Sequence, residues 1–419
     1  MDPRLLNYYN RELQHLREMG GEFAREFPKI AGRLGLESFE CADPYVERLL
    51  EGFAFLTARV QLKMDAEFPR FTQHLLELVY PHYLCPVPSM TVVQMQPQMG
   101  EGALASGVKI PSGSVMRSLL GRGEQTACDY RTGHEVTLWP VELAGVEYTG
   151  FLGDLGGIRL PTRKTARAAL RIRLRSTAGV RFDQLPLDRL PLFLRGGDEL
   201  AMRVYEQLLG NVVASALRQP GQHHEPPFAV VGAPATRALG FEDSEALLPY
   251  GPRSFQGYRL LQEYFAFPSR FLFVELMGLQ PGVRRCKGNE LEVVLFLDRH
   301  DPSLEGAISA SHFALYCVPA VNLFPRRADR IHLNDSTNEY HVVPDRTRPM
   351  DFEVYAISDV SGYGDTTDAT QEFRPLYAMG DQTPADATRA YYTIHRQPRK
   401  LSARQQAQGA RSSYVGSEV

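Results

Sequence analysis

The triplet His223–Glu225 is the group of side chains that most resembles a metal site. Imidazole and carboxylate groups are common ligands of zinc, and three of them stand together here. Adjacent side chains of a strand point to opposite faces, however, and Pro226-Pro227 directly afterwards marks a loop. His134-Glu135 lacks the second histidine of the zinc-binding HExxH pattern. We therefore favour a surface loop at 223–225 and predict no metal site.

Cys85 lies three residues after His82 and raises the alternative of a Cys–His hydrolase. Such a pair requires a thiol with a lowered pKa and a third group that orients the imidazole. Neither requirement can be read from these residues, so a structural cysteine is favoured. No complete nucleophilic, acid–base or metal-binding group is found, and we predict no catalytic residue and no cofactor.

Two glycine pairs and two acidic residues are weaker candidates for ligand binding. Gly121-Arg122-Gly123 and Gly362-Tyr363-Gly364 lack the spacing and the following helix of a phosphate-binding loop. Asp365 and Asp368 lie in a polar, turn-rich stretch, 361–388, that we predict to be a loop. An incidental calcium site there is an alternative to a plain loop.

Arg171, Arg173 and Arg175 alternate with apolar residues, so a strand would place all three guanidinium groups on one face. Arg163, Lys164 and Arg167 precede them. A nucleic-acid site usually interleaves aromatic side chains with its basic ones, and none occurs here. We rank a solvated strand face first, an acidic protein partner second and nucleic acid third.

The composition is that of an ordinary soluble globular protein of roughly two to four domains. Of 419 residues, 43% are hydrophobic and 23% charged, and the net charge is −3. No apolar run approaches the ~20 residues of a membrane span, and the N-terminus lacks a secretory apolar segment, which predicts a cytoplasmic protein. The five cysteines, at positions 41, 85, 128, 286 and 317, are scattered and odd in number, which predicts reduced thiols.

Three helices are predicted before residue 88. The first spans Leu5–Phe27 and ends before Pro28. The second begins at Pro44 with Asp43 as its N-cap, and Pro69 opens the third. Apolar residues at three- and four-residue spacing form a stripe along the second helix: Val46, Leu49, Leu50, Phe53, Leu56, Val60 and Met64.

This stripe must be covered, because seven buried apolar side chains are worth on the order of 10–20 kcal/mol before entropy is subtracted. An isolated helix is marginal in water. From the residues alone, an intramolecular three-helix core is favoured over a bundle shared with other chains.

After Pro88 the hydrophobic pattern changes towards the two-residue period of strands. The segments 271–279 and 290–299 are predicted to form an antiparallel pair, and helices are predicted at 198–209 and 254–265. Tyr258, Leu261 and Phe265 share one side of the latter. Strands are also predicted at 92–93, 136–139, 169–175, 190–194, 229–231, and within 313–333, 339–345, 351–360 and 391–400.

The predicted class is α+β, with an N-terminal helical segment followed by β-rich domains of mostly antiparallel strands with a few inserted helices. The predicted regions are 1–88 (helical), 89–300 (β-rich) and 301–419 (strand-rich). Because the last residues, SSYVGSEV, have the pattern of a beginning strand, we expect a C-terminal part to follow.

The order of several motifs along the whole chain resembles the TssF (VasA/ImpG) family of the bacterial type VI secretion system. The helical block at 8–35 and 43–90 carries most of the resemblance. Later motifs follow in the same order: FDQLPLDRLPLFLRG, RVYEQLLG, GFEDSEALLPY, GYRLLQEYFAFPSRFLFVEL, CVPAVNLF, EYHVVPDRTRPMDFEVYAI and HRQPRK.

The resemblance implies a structural wedge subunit of a contractile injection machine. Expected partners are a second TssF copy, TssG, TssK, TssE and the central spike hub, with no nucleic acid and no direct insertion into a membrane. The wedge would support sheath and tube polymerisation in a baseplate docked at the inner-membrane complex. A phage-tail-like baseplate protein outside secretion, and a Cys/His hydrolase, are the alternatives.

The resemblance also reverses the preference for an internal helical core, because N-terminal helices of the family are expected in a bundle between subunits. The predicted partner-interface residues are Leu13, Leu16, Phe23, Leu49, Leu50, Phe53, Leu56 and Val60.

Overall fold

The computed structural model separates into two compact units, Met1–Leu84 and Cys85–Val419. It describes residues 4–36, 43–98, 102–121, 123, 125–155, 157–222, 225–251, 254–364, 370–376, 390–399 and 416–419.

In residues 4–36 and 43–84 the first unit contains three α-helices: α1 (Leu5–Glu26), α2 (Pro28–Leu34) and α3 (Pro44–Val79). The predicted N-cap is confirmed, since the Asp43 carboxylate accepts the Tyr45 N–H at 2.9 Å. The predicted stop before Pro28 is confirmed as well, but Pro28 then starts α2, which was not predicted.

The prediction that Pro69 opens a separate helix is wrong, because Pro69 lies inside α3, a single helix of 36 residues. A proline in a helix interior removes one N–H donor, here towards the Asp65 carbonyl. The helix keeps its bonds on both sides of that position, and the apolar spacing continues into Phe71 and Leu75.

Helices α1 and α3 pack against each other in antiparallel directions. The Tyr8 hydroxyl donates to the Asp65 carboxylate near one end, and Arg17 pairs with Glu47 at 2.8 Å near the other. Ala54 and Ala58 of α3 are completely buried. Small side chains on this face of α3 allow the backbones to approach closely.

Where the structure describes the second unit, it consists of strands with three α-helices between them. The helices are α4 (Asp198–Gly210), α5 (Gln256–Ala266) and α6 (Gln280–Val283). The strands up to residue 150 are β1 (Met90–Gln94), β2 (Val108–Ile110), β3 (Val115–Arg117), β4 (Asp129–Thr132), β5 (Val136–Leu138) and β6 (Val141–Thr149). Those from 168 to 321 are β7 (Ala168–Ser176), β8 (Leu190–Leu194), β9 (Val212–Arg218), β10 (Ala229–Gly232), β11 (Thr236–Ala238), β12 (Phe273–Leu276), β13 (Glu290–Leu297), β14 (Phe313–Ala314) and β15 (Cys317–Val321).

Two antiparallel sheets share the main hydrophobic core. One has the order β10-β9-β13-β7-β6 and the other β11-β12-β8-β14. Leu170, Ile172 and Leu174 of β7 belong to the same core as Leu190, Leu192 and Leu194 of β8. Helix α4 adds Ala201, Val204 and Leu208 to it.

The four-stranded sheet also contributes to a second core, because its alternate residues point to the opposite face. Phe193 and Phe273, which are cross-strand partners, pack with Ala314, Cys317 and Val92. Strand β1 carries Val92 and belongs to a sheet with the order β1-β15-β4-β3. The predicted α+β class with inserted helices near 198–209 and 254–265 is confirmed.

The predicted antiparallel pair between 271–279 and 290–299 is wrong. Strand β12 pairs with β8 and β11, whereas β13 pairs with β7 and β9 in the other sheet. Both strands are buried along almost their whole length, so each needs a neighbour on both sides, and the connection between them contains α6.

The strands predicted within 322–359 do not form, although all of these residues are described. Local hydrogen bonds from side chains stabilise turns in this segment. For example, the Asn334 side-chain oxygen accepts hydrogen bonds from the backbone N–H groups of Ser336 and Thr337. An alternating pattern without a neighbouring strand gives no sheet.

The remaining strands are short: β16 (Val360–Tyr363), β17 (Thr370–Pro375), β18 (Ala390–Tyr392), β19 (Gln397–Pro398) and β20 (Ser417–Glu418). Strand β17 and most of β16 lie within 361–388, so the prediction of one long loop is wrong for these residues; 365–369 and 377–388 lie outside the described part of the chain.

Candidate protein interfaces

The residues considered for nucleophilic chemistry have pKa shifts that oppose it. Burial raises the pKa of the Cys85 thiol and lowers the pKa of the His82 imidazole. A reactive cysteine needs the opposite shift of its thiol, towards the thiolate at neutral pH. Cys85 therefore has the properties of a structural cysteine.

His134 is a neutral histidine held in an apolar setting. Burial lowers its pKa to about 4, against an opposing effect of Glu245. Its ring meets the Phe273 ring edge-on at a centroid distance of 5.9 Å. At neutral pH this imidazole carries no charge.

Several candidates from the sequence lie outside the described residues: His223, His224, Asp365, Asp368 and Cys41. Within the described ranges, no group of three or more His, Cys, Asp or Glu side chains is placed to hold a metal ion. The four described cysteines, Cys85, Cys128, Cys286 and Cys317, are free thiols.

The arginine face of β7 is neutralised by carboxylates of the same unit. Arg171 lies 2.6 Å from Asp154 and is itself buried, so a fully solvated face is wrong for this residue. Arg173 pairs with Glu292 at 3.3 Å, and Arg175 pairs with Glu290 at 3.2 Å. Both glutamates lie directly opposite these arginines on β13.

The clearest unpaired surface of the helical unit is an apolar stripe on α3, which we call the outer stripe. It consists of Leu49, Phe53, Leu56, Val60, Met64, Phe71, Leu75 and Leu78, all exposed. At 100° per residue these positions lie roughly 80–180° around the helix from the midpoint of Ala54 and Ala58. The outer stripe thus lies away from the face that packs on α1.

The structure divides the eight predicted interface residues into two sets. Leu13, Leu16 and Leu50 are half-buried. Phe23, Leu49, Phe53, Leu56 and Val60 are exposed, and Phe53 retains 59% of its accessible surface. The sequence grouped Leu50 with Leu49 and missed that Ala54 and Ala58 mark the packed face, which small residues at four-residue spacing indicate.

Helix α5 has the reverse of the usual amphipathic arrangement. Its inward face carries Arg259 and Glu263, both completely buried. The Glu263 carboxylate contacts Arg259 at 3.2 Å and also Arg270, and it accepts the N–H groups of Leu247 and Leu248 at 3.0 and 2.9 Å. This buried ionic cluster attaches α5 to the 240–248 segment.

Arg270 extends the cluster through its guanidinium group. It donates to the carbonyl oxygens of Gly240 at 2.6 Å and Glu245 at 2.9 Å. Burial lowers the pKa of Arg270 to about 9, with the neighbouring Arg259 contributing. In the sequence, only the i, i+4 spacing of Arg259 and Glu263 indicates this cluster.

Tyr258, Leu261 and Phe265 share one side of α5, as predicted, and that side is exposed. We call this surface, together with Phe255 and Tyr264, the α5 ridge. It lies opposite the ionic cluster on the same helix.

The model of the family described as "Type VI secretion system, TssF" matches residues 1–419. The chain belongs to the TssF family. This confirms the resemblance read from the motifs and identifies a structural baseplate component family that is not known for enzymatic activity.

One relative, type VI secretion system component TssF1 of Pseudomonas aeruginosa strain PAO1, is 57% identical over 419 residues. The alignment covers 100% of this chain and 67% of the relative. A solved structure of the TssK-TssF-TssG baseplate subcomplex contains a similar chain, with a TM-score of 0.67 and 26% identity, covering 88% of this chain and 64% of that one. A chain of a type VI baseplate complex aligns with 99% of this chain and 66% of its own length, at 25% identity and a TM-score of 0.48. The chain thus spans about two thirds of the length of these relatives. None of the described helices combines the length and hydropathy of a membrane span.

Proposed function

We propose that this chain is a scaffold subunit of a type VI secretion baseplate wedge and that it assembles through its N-terminal helices. The family match and the similar chain in a TssK-TssF-TssG subcomplex support the assignment to the baseplate. TssG, TssK and a second copy of the chain are the proposed direct partners. TssE and the central spike hub complete the wedge, which supports sheath and tube polymerisation at the inner-membrane complex.

The observation that carries this proposal is the outer stripe of α3. A helix of 36 residues is about 54 Å long, and the stripe follows most of it. Each apolar side chain brought out of water is worth about 1.5–3 kcal/mol. Exposed apolar surfaces of this extent are typical of sites where another protein binds.

The packing of α3 on α1 leaves the outer stripe available for a partner. Small residues at 54 and 58 make the intramolecular contact, so the large apolar residues are not used there. Apolar residues repeating every three or four positions fit the ridges and grooves of another helix. Helices of other wedge subunits are therefore the occupants we propose.

Co-expression with TssG and TssK of the same secretion system tests the proposal. We expect one complex of fixed stoichiometry after gel filtration, with its composition measured by native mass spectrometry. Recovery of the chain alone, while TssG and TssK still copurify with each other, would contradict it. A salt-resistant complex is expected, because apolar contacts are screened little by ions.

A further inference from the structure

We infer that the α5 ridge is a second docking surface, and that it receives an amphipathic helix of another baseplate subunit with Lys or Arg beside its apolar stripe. This inference rests on the proposed function, because the partner is taken to be another baseplate subunit. The surface itself is distinct from the outer stripe of α3.

The first argument is the amount of apolar surface on the ridge. Phe265 is 81% exposed and Phe255 69%, and Tyr258, Leu261 and Tyr264 are each close to half exposed. For aromatic side chains of about 150–250 Å² this amounts to roughly 500 Å², the size of the largest patches on ordinary monomers. Patches of this size are often functional.

The second argument is that the aromatic rings form a continuous surface. The ring centroids of Phe255 and Tyr258 lie 5.6 Å apart, and those of Tyr264 and Phe265 also lie 5.6 Å apart. Leu261 lies three residues after Tyr258 and four before Phe265, so it joins the two pairs along one helix face. This i, i+3, i+7 series is the geometry that packs into the grooves of another helix.

The third argument is that the charged residues of α5 lie on its buried face and not on the ridge. Arg259 and Glu263 are the charged residues of α5, and both lie in the buried ionic cluster. Burying three ions is expensive, and replacing them by apolar residues is often neutral or stabilising. The arrangement fixes the position of α5 while its outer face stays uncharged.

Charge at the two ends of the ridge identifies the kind of partner. The Gln256 side chain, at the start of α5, contacts the Asp243 carboxylate and the Phe241 carbonyl, which places the exposed Glu242 at that end. Asp243 itself pairs with Arg259 at 3.7 Å, so Glu242 supplies the negative charge there. The opposite end is a helix carboxyl terminus, which carries partial negative charge. Both ends therefore attract a cationic side chain on the occupant.

A second copy of the chain fits this ridge poorly. An antiparallel pair of α5 helices would bring Glu242 against the carboxyl end of the other α5. A parallel pair would bring the Glu242 carboxylates of the two copies together. Negative charge would meet negative charge in both arrangements, which disfavours them.

The test uses the full chain co-expressed with TssG and TssK of the same secretion system. Leu261→Asp places a charge at the centre of the ridge, and we expect at least a tenfold lower recovery of TssG or TssK. Leu119→Asp is the matched control, because Leu119 is 94% exposed elsewhere in the second unit. Glu242→Lys should weaken the complex several-fold at low salt, with the difference fading at high salt as charges are screened.

Two results would overturn the inference: wild-type recovery of both subunits with Leu261→Asp, or loss of self-association alone. If Leu261→Asp lowers the midpoint of thermal unfolding, Phe265→Ser repeats the test at the most exposed ring. Phe53→Asp on the outer stripe, measured in parallel, separates the two surfaces. Loss with Phe53→Asp and retention with both ridge variants would refute the ridge alone.

Discussion

Phe53 and Ala54 are consecutive residues of α3 that lie on different faces of the helix. Ala54 is completely buried, whereas Phe53 keeps 59% of its surface exposed. The pair shows that α3 uses its small residues inside the chain and presents its large apolar residues outwards. An internal three-helix core around Phe53 is therefore excluded.

Phe53→Asp is expected to abolish copurification with TssG without unfolding the chain. A carboxylate buried without a partner costs several kcal/mol, and this cost falls on the complex, because residue 53 is exposed in the single chain. Copurification and gel filtration measure the effect. Gln73→Asp, exposed on α3 away from the outer stripe, is the control and should assemble normally.

Ala58→Leu should have the opposite pattern to Phe53→Asp. Extra methylene groups in a tightly packed contact typically cost about 1–3 kcal/mol. We expect the helical unit to become sensitive to limited proteolysis, while the second unit keeps its resistance. Assembly of the Phe53→Asp variant, or stability of the Ala58→Leu variant, would show that the faces of α3 are assigned wrongly.

Elements with a strong local signal were predictable from the sequence. The cap at Asp43, the stop before Pro28 and the two inserted helices depend on residues close together in the sequence, and all four are confirmed. The predicted pairing of β12 with β13 is wrong. Both strands are buried and need a neighbouring strand on each side, and these neighbours are not the strands nearest along the chain. The prediction of a separate helix starting at Pro69 failed because the loss of one hydrogen bond is outweighed by the other bonds of a long helix.

The candidate surfaces were predictable only in part. Spacing placed Leu49, Phe53, Leu56 and Val60 together, but it could not show which face of α3 packs on α1. The ionic cluster around Glu263 was missed because Arg270 comes from outside α5, and only the fold brings it to the carboxylate. The prediction of a solvated arginine face on β7 is wrong for Arg171. Its partner Asp154 lies on a separate segment, and only the fold brings the two side chains together.

Glu263→Gln should destabilise the second unit strongly. The carboxylate compensates Arg259 and Arg270, which are both completely buried, and removing one partner of a buried ion pair costs about 3–5 kcal/mol. Urea unfolding monitored by fluorescence of Trp139, a core residue of this unit, measures the loss. Glu290→Gln, at an exposed pair with Arg175, is the control and should change stability by about 1 kcal/mol or less.

The stability of the second unit should fall as the pH drops from about 6.5 to 4 because of His134. Its pKa is lowered to about 4 in the folded state, while the unfolded chain titrates near the ordinary value of 6.5. The unfolded state therefore binds more protons in this window, and the loss reaches about 3 kcal/mol when the pH approaches 4. Urea unfolding at several pH values checks this, and His134→Gln should flatten the dependence. An unchanged profile in that variant would assign the effect to other groups.

The cysteines should react with a thiol reagent in a fixed order in the native protein, and all five should react after denaturation. Cys128 is exposed and should be modified within minutes by a thiol reagent in the native protein. Cys286 and Cys317 are buried, and burial raises the pKa of Cys317 to about 11, so their thiolate fraction and their access are both low. Under denaturing, non-reducing conditions we expect five thiols per chain. A count of three would reveal a disulfide. Rapid modification of the Cys317 thiol in the native protein would show that the core around Phe193 and Phe273 opens readily.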